Sequence, residues 1–227
     1  GTDVLDMSGS TSNQTINLTN LAAASNVTVV DAALGTDVVN TFEGIMLGSG
    51  ADSVAGSTGD NWIAGGAGND TLDGGAGNDM LSFAAAAVGI IFDLTTNFGA
   101  AVMVADGQGG TDLVSNFENI DGGSGNDILI AGSGNDSLSG GDGNDSISAG
   151  DGINTLAGGA GNDSLVGGTG IDTADYSTVT HGLTINLGSS VQAGSSSDTV
   201  AGAGNQGSDV LVSIENVLGG TGADSIT

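Results

Sequence analysis

The sequence predicts an all-β fold, a right-handed parallel β-roll or β-solenoid interrupted by wider β-helical coils. Three observations predict it. A nine-residue phrase recurs in frame, an apolar residue stands at the eighth place of nearly every copy, and 44 of the 227 residues are glycine while none is proline. Self-similarity at a short fixed period marks a solenoid, in which each repeat packs only on its neighbours.

The phrase is plainest as GGAGNDTLD from residue 65 and GGAGNDMLS from residue 74, preceded by GSTGDNWIA from 56 and a shortened GSGADSVA behind Leu47. A second block runs GGSGNDILI from 122, AGSGNDSLS from 131, GGDGNDSIS from 140, AGDGINTLA from 149, GGAGNDSLV from 158 and GGTGIDTAD from 167, and GGTGADSIT closes the chain at 219–227. Each phrase has six turn formers and then three strand-like residues, which is half a coil. Two phrases, 18 residues, make a full coil, and successive coils pair as parallel strands about 4.8 Å apart. The eighth-place residues Ile63, Leu72, Leu81, Leu129, Leu138, Ile147, Leu156 and Leu165 are the expected core.

A longer module is superposed on the short one. It divides the chain into 1–76, 77–169 and 170–227, with nonapeptides 47–82 and 122–175 overlapping into the following module, all in one continuous solenoid. Each module passes through an alternating strand (QTINLTN from 14, GIIFDLTT from 89, GLTINLGS from 182) and then a signature (TDVVNTFEGI from 36, TDLVSNFENI from 111, SDVLVSIENV from 208). The three glutamates, Glu43, Glu118 and Glu215, all stand in that signature. Phe42, Phe117 and Ile214 beside them read as core plugs where a wider coil meets the roll; the glutamates either cap that junction or bind an ion, and the structural reading is preferred because no Lys or Arg can partner them.

Charge then points to chemistry. Asp and Glu number 27 and Lys and Arg are absent, so the formal charge is −27 with no protein-based counter-charge. Self-repulsion of this size opposes compaction, and a cation held by the folded state reverses it. DNA, RNA and anionic lipid surfaces are repelled, which excludes nucleic-acid partners. Cysteine is absent, which removes disulfides and thiolate metal sites. No apolar run is long enough for a transmembrane segment, and the first residues lack a basic and apolar leader.

The sixth place of the phrase is where the cation is expected. Turns 18 residues apart lie on one edge, so their carboxylates face one gap. Stacked without a cation they repel; with a hard divalent ion and the carbonyls of the glycine turns they form an oxygen cage. Ca²⁺ accepts six to eight such ligands, whereas Mg²⁺ requires a tighter octahedron and retains water. The candidate ligands are Asp52, Asn61, Asp70, Asp79, Asp127, Asp136, Asp145, Asn154, Asp163, Asp172 and Asp224. Asn61 and Asn154 keep an oxygen but remove a charge, so their edge is expected to hold ions more weakly.

The pattern GGxGxDxUx resembles the RTX (repeats-in-toxin) calcium-binding β-roll nonapeptide, and the longer module resembles large secreted bacterial surface-layer proteins and adhesins that carry it. The resemblance implies calcium between turns n and n+2, pairing Asp52 with Asp70, Asp127 with Asp145, and Asp145 with Asp163. Six such turn pairs carry about +12 in calcium, well short of the 27 carboxylates, so about six or more ions are expected: either the inter-block regions bind further ions or the folded surface stays strongly acidic. The resemblance also implies secretion through a type I route and folding outside the cell, where calcium is plentiful.

Other chemistries find little support. His181 is the only histidine, and no G-x-S-x-G elbow accompanies it, so no enzyme is expected in these residues. None of the three glutamates fits the twelfth place of an EF-hand loop. The triplets at Asn13, Asn17 and Asn26 match glycosylation acceptors by chance of composition. Seventh-place residues Ser53, Trp62, Thr71, Met80, Ile128 and Ser137 make too irregular an array to order ice, and Trp62 points away from the core.

The expected function is therefore a calcium-dependent extracellular structural protein of a surface layer, adhesin stalk or matrix filament, self-associating through calcium and anchored to surface polysaccharide elsewhere. The alternative is the calcium-triggered folding and export domain of a secreted protease or lipase. Gly1 and Thr227 both fall inside a nonapeptide, and two readings fit: part of a longer chain, or ends that stack on neighbouring molecules.

Overall fold

The structure, a computed structural model, describes residues 3–18, 27–31, 35–39, 44–93, 101–186, 198–202 and 207–226. Gly1, Asn26, Phe42, Glu43 and Thr227, singled out above, lie outside them. Every regular element among the described residues is a β-strand, most of them three to seven residues long. The chain divides into two compact units, residues 1–86 with 96–120, and residues 87–95 with 121–227.

The first unit is built on two parallel sheets. One carries Val4–Asp6, Gly44–Met46, Trp62–Ala64 and Met80–Ser82 side by side. The other carries Gln14–Asn17, Ser53–Ala55, Thr71–Asp73 and Thr111–Ser115. Within the nonapeptide block the register is 18 residues, as Ile63 pairs with Leu81 and Val54 with Leu72. The second unit repeats the plan. Ile91–Asp93, Ile128–Ile130, Ser146–Gly152, Ser164–Gly170 and Ser208–Val212 form one parallel stack. Ser137–Asp142, Thr155–Ala160, Thr173–Asp175 and Asn216–Leu218 form the other.

The period-two pattern of each short strand sets its inside and outside. Each of the eight eighth-place residues is buried, none exposing more than 1% of its surface. The seventh-place side chains face outward: Ser53, Thr71 and Ile128 are exposed, and Trp62, Met80 and Ser137 are partly so. Phe117 is buried, and Ile214 is partly buried.

The wider coils hold an arrangement the repeat pattern does not announce. Their alternating strands join the parallel stack as expected, Gln14–Asn17 on Ser53–Ala55 and Ile91–Asp93 on Ile128–Ile130. The residues that follow turn back as antiparallel strands. Val27–Asp31 pairs antiparallel with both Gln14–Asn17 and Gly35–Val39, and Val102–Ala105 with Thr111–Ser115. In the second unit Asp198–Gly202 lies antiparallel between Leu183–Asn186 and Ser208–Val212. A wide loop can close as a hairpin because antiparallel neighbours need only a short connection.

The FE/IE signature is a coil with one turn cut short. Strands Ser53–Ala55 and Trp62–Ala64 are joined by six residues, 56–61. Thr111–Ser115 and Asn119–Ser124 are joined by three, and so are Ser208–Val212 and Asn216–Leu218. The sharper corner puts its first residue in the left-handed region, Asn116 at φ 57° and Ser213 at φ 53°, the only described non-glycine residues with positive φ. Asn tolerates that conformation better than most residues.

Candidate metal centre

A single hydrogen bond repeats up each edge of the rolls. The sixth-place side chain accepts the backbone N–H of the residue one coil earlier. Asp52 Oδ1 accepts from Gln14 N at 2.7 Å, Asp70 from Asp52 at 2.8 Å, and Asp112 from Asp70 at 3.0 Å. In the second unit Asp127 accepts from Ile90, Asp145 from Asp127, Asp163 from Asp145 and Asp209 from Asp163, all between 2.8 and 3.0 Å.

The opposite edges follow the same rule with mixed residues. Asn61 N donates to Asp79 Oδ1 and Asp79 N to Glu118 Oε2, at 2.7 and 2.9 Å. Asp136 N donates to Asn154 Oδ1, Asn154 N to Asp172 Oδ1, and Asp172 N to Glu215 Oε2. Asp224 is exposed and accepts from Leu183 N at 2.9 Å. The structure thus brings the sequence-predicted pairs one above the other, and ten of the eleven candidate residues are buried.

Each ladder bond occupies one carboxylate oxygen and leaves the other. Oδ2 of Asp70, Asp79, Asp127, Asp145, Asp163 and Asp172 is buried with no hydrogen-bond partner. A buried, unpaired anionic oxygen is costly and calls for a counter-charge. Burial is the main cause that pushes these groups up: Asp70 to about 7, and Asp79, Asp145 and Asp163 to about 6. The backbone N–H bond pulls each the other way, and neighbouring carboxylates add to the upward push.

The glycines shape the space around that oxygen. In the copy from residue 140, Gly141 and Gly143 have φ of 106° and 146°, and a Cβ on either would strike the carbonyl oxygen of Gly123 or Gly125 in the preceding coil. Glycine is therefore required for both conformation and approach. The first glycine of a phrase has another reason: a Cβ on Gly65 would lie 2.7 Å from Asp70 Oδ2. Among the described residues no three His, Cys, Asp or Glu side chains converge to hold a metal ion. Calcium fits such a site when carboxylates contribute one or two oxygens and turn carbonyls the rest, a hard-oxygen set.

Several members of the ladder escaped the sequence reading. Asp112 and Asp209 take sixth-place positions inside the signature, and Glu118 and Glu215 take the corresponding place after the shortened turn. The signal was present: Asp112 is followed by the strand-like triplet Leu113, Val114 and Ser115, as every sixth-place Asp is. Glu118 Oε2 and Glu215 Oε2 accept the backbone N–H of Asp79 and Asp172, from a partly exposed and an exposed position. The fifth place was missed as well. Asn126 Oδ1 accepts from Asn144 N, Asn144 Oδ1 from Asn162 N and Asn162 Oδ1 from Ser208 N, a second ladder running in the opposite sense. Its signal was the recurring Asn before the Asp.

Two further singled-out residues lie away from the ladders. His181 is exposed, with Nδ1 at 3.4 Å from Thr180 Oγ1. Trp62 is half-buried and lines an outer cavity of about 370 Å³ with Met46, Leu47, Ala64, Ala85 and Gln108. No helix of the described residues is long and apolar enough to cross a membrane.

Comparison with known proteins bears on the same turns. Residues 47–81, 121–156 and 139–174 match the family described as the RTX calcium-binding nonapeptide repeat (4 copies). No curated protein sequence matches the chain. Among solved structures, the chain is similar to the extracellular lipase LipA from Serratia marcescens, at 16% identity and a TM-score of 0.21, over 78% of this chain. The chain spans 39% of that lipase's length. The matched residues hold Asp52, Asn61, Asp70 and Asp79 in one block and Asp127, Asp136, Asp145, Asn154, Asp163 and Asp172 in the other, so these turns are similar to the RTX calcium-binding nonapeptide repeat.

Proposed function

We propose that this chain is an extracellular structural segment that folds as calcium fills the gaps between its stacked turns and then self-associates into a layer, stalk or filament. One observation carries the calcium-dependent part: among the described residues, six sixth-place aspartates each hold a buried carboxylate oxygen with no hydrogen-bond partner, in a sequence with no Lys or Arg. In this reading calcium is held by Asp52 with Asp70, by Asp127, Asp145 and Asp163, and more weakly by the edges containing Asn61 with Asp79 and Asp136, Asn154 and Asp172. Binding energy then becomes folding energy, because the unfolded chain has no such site. Low cytosolic calcium leaves the chain unfolded and millimolar extracellular calcium folds it.

The test is circular dichroism, sedimentation and electron microscopy of the chain in about 5 mM calcium, above the range of extracellular modules, and in chelator. β structure with filaments or sheets only in calcium is expected. A folded monomer that never associates would remove self-assembly and leave the folding and export role of a secreted enzyme. An unchanged spectrum would remove the calcium reading itself.

A further inference from the structure

We infer that the outer cavity beside Trp62 in the first unit is a binding site for one uncharged sugar ring, a neutral pyranose. The inference goes beyond the functional reading above and needs only the folded chain.

The cavity measures about 370 Å³, within the range of small-molecule sites, about 300–1,000 Å³. Its floor is apolar and comes from two paired strands. Trp62 and Ala64 lie on one, and Met46 lies beside Ala64 on the other, all three partly exposed. Trp62 is the only tryptophan of the chain and stands at a seventh place, where the other copies named above carry Ser, Thr, Met or Ile. The rim is polar. Ser8 and Ser49 stand in turns of successive coils, and Gln108 lines the cavity from the tip of the hairpin between Val102–Ala105 and Thr111–Ser115.

That tip is held from below. Asp106 is fully buried, and its Oδ1 accepts three backbone N–H groups, from Gln108 at 2.8 Å, Gly109 at 3.0 Å and Gly110 at 2.8 Å. Gln108 is therefore in place before any ligand arrives, which lowers the ordering cost of binding.

The lining decides the class of ligand. Among the described residues around the cavity none is Asp or Glu, in a chain with 27 of them and no Lys or Arg. An anion is repelled by the chain as a whole and meets no cation to pair with. A cation meets no carboxylate in the lining and many elsewhere. A wholly apolar molecule would cover the Gln108 amide and the serine hydroxyls without replacing the water they bind, which is unfavourable. A pyranose matches both surfaces: its C–H face stacks on an indole ring, and its hydroxyls donate and accept hydrogen bonds at the rim.

Trp62 is the sole tryptophan, so its fluorescence reads the cavity directly. The full chain, in about 5 mM calcium and with its β structure verified by circular dichroism, is titrated with the methyl glycosides of glucose, galactose, mannose and N-acetylglucosamine. Methyl glucuronide serves as the anionic counterpart and Nile red as the apolar probe. A saturable change with at least one neutral glycoside and none with the glucuronide is expected. Gln108→Ala should weaken that binding about threefold to tenfold, the loss of one or two neutral hydrogen bonds, while the circular dichroism spectrum and the calcium midpoint stay those of the parent. An emission unmoved by all four glycosides up to about 50 mM, well above a millimolar Kd, overturns the site. Equal binding of the glucuronide, or binding of Nile red alone, overturns the assignment to a neutral sugar. Unaltered affinity in Gln108→Ala overturns the part given to the hairpin tip.

Discussion

The two edges of the second unit share one backbone and differ in charge. On one, Asp127, Asp145, Asp163 and Asp209 follow each other without interruption. On the other, Asn154 stands between Asp136 and Asp172, and Glu215 ends the series. Asn154 does more than remove a charge: its Nδ2 donates to Asp172 Oδ1 at 2.9 Å beside its own backbone N–H. The mixed edge supplies part of its counter-dipole from within, while Asp145 is pushed up to about 6 by burial and then by the charges of Asp163, Asp127 and Asp142. The need for an external cation is therefore concentrated on the all-aspartate edge, and the comparison can be broken in four ways.

Protons should stand in for calcium across the whole chain, which is the largest effect expected. The buried carboxylates have folded values of about 6 to 7 against an ordinary 3.8. A raised folded value means that their contribution to stability is present below about 3.8 and lost as pH rises through about 6 to 7. In chelator, compaction seen by circular dichroism should increase as pH falls from 7.5 to 5, and in calcium the midpoint should move to higher calcium over the same interval. A chelated chain whose spectrum ignores this interval would contradict the buried ionic ladder.

Asp145→Ala removes the acceptor of Asp127 N–H and a carboxylate shared by two gaps. An unsatisfied buried donor costs about 1–3 kcal/mol, and with a ligand lost as well the calcium midpoint of folding should rise about tenfold or more, which is about 1.4 kcal/mol or more. A shift under twofold would show that the aspartate edge is not where calcium acts. Gly158→Ala is next: its Cβ would press on Asp163 Oδ2 and lie 2.8 Å from Asp163 Cβ. Overpacking of this kind costs about 1–3 kcal/mol, read as a lower thermal midpoint in saturating calcium. Asn154→Asp is the smallest. It exchanges the amide donor for a charge, so folding should depend more steeply on calcium concentration with only a small change of midpoint. An unchanged slope would mean that the asparagine turn already takes a full ion.

The nonapeptide blocks were legible because a local pattern settled them. An apolar residue every nine places, with turn formers between, leaves one way to bury Leu138, Ile147 and Leu156 together. The 18-residue register and the stacking of sixth-place residues followed from that spacing alone. The signature was harder because its frame is broken. Glu118 follows Asp112 by six places instead of nine, so the two no longer look like successive turns although the structure uses them so. Valine-rich segments such as Val27–Asp31 read as strands in either direction, and their antiparallel pairing depends on partners the pattern does not name.

The two side-chain ladders run in opposite senses, and this gives a coil unlike faces. Toward the preceding coil it offers the sixth-place oxygen that receives an N–H; from the same coil it draws the fifth-place oxygen for its own, as Asp145 and Asn144 do with Asp127 and Asn126. Toward the following coil the roles are exchanged, as with Asp163 and Asn162. A block opened between two coils would therefore present a lock on one side and its key on the other, never two locks. Molecules joined through such faces would all point the same way, and the resulting assembly would possess a front and a rear.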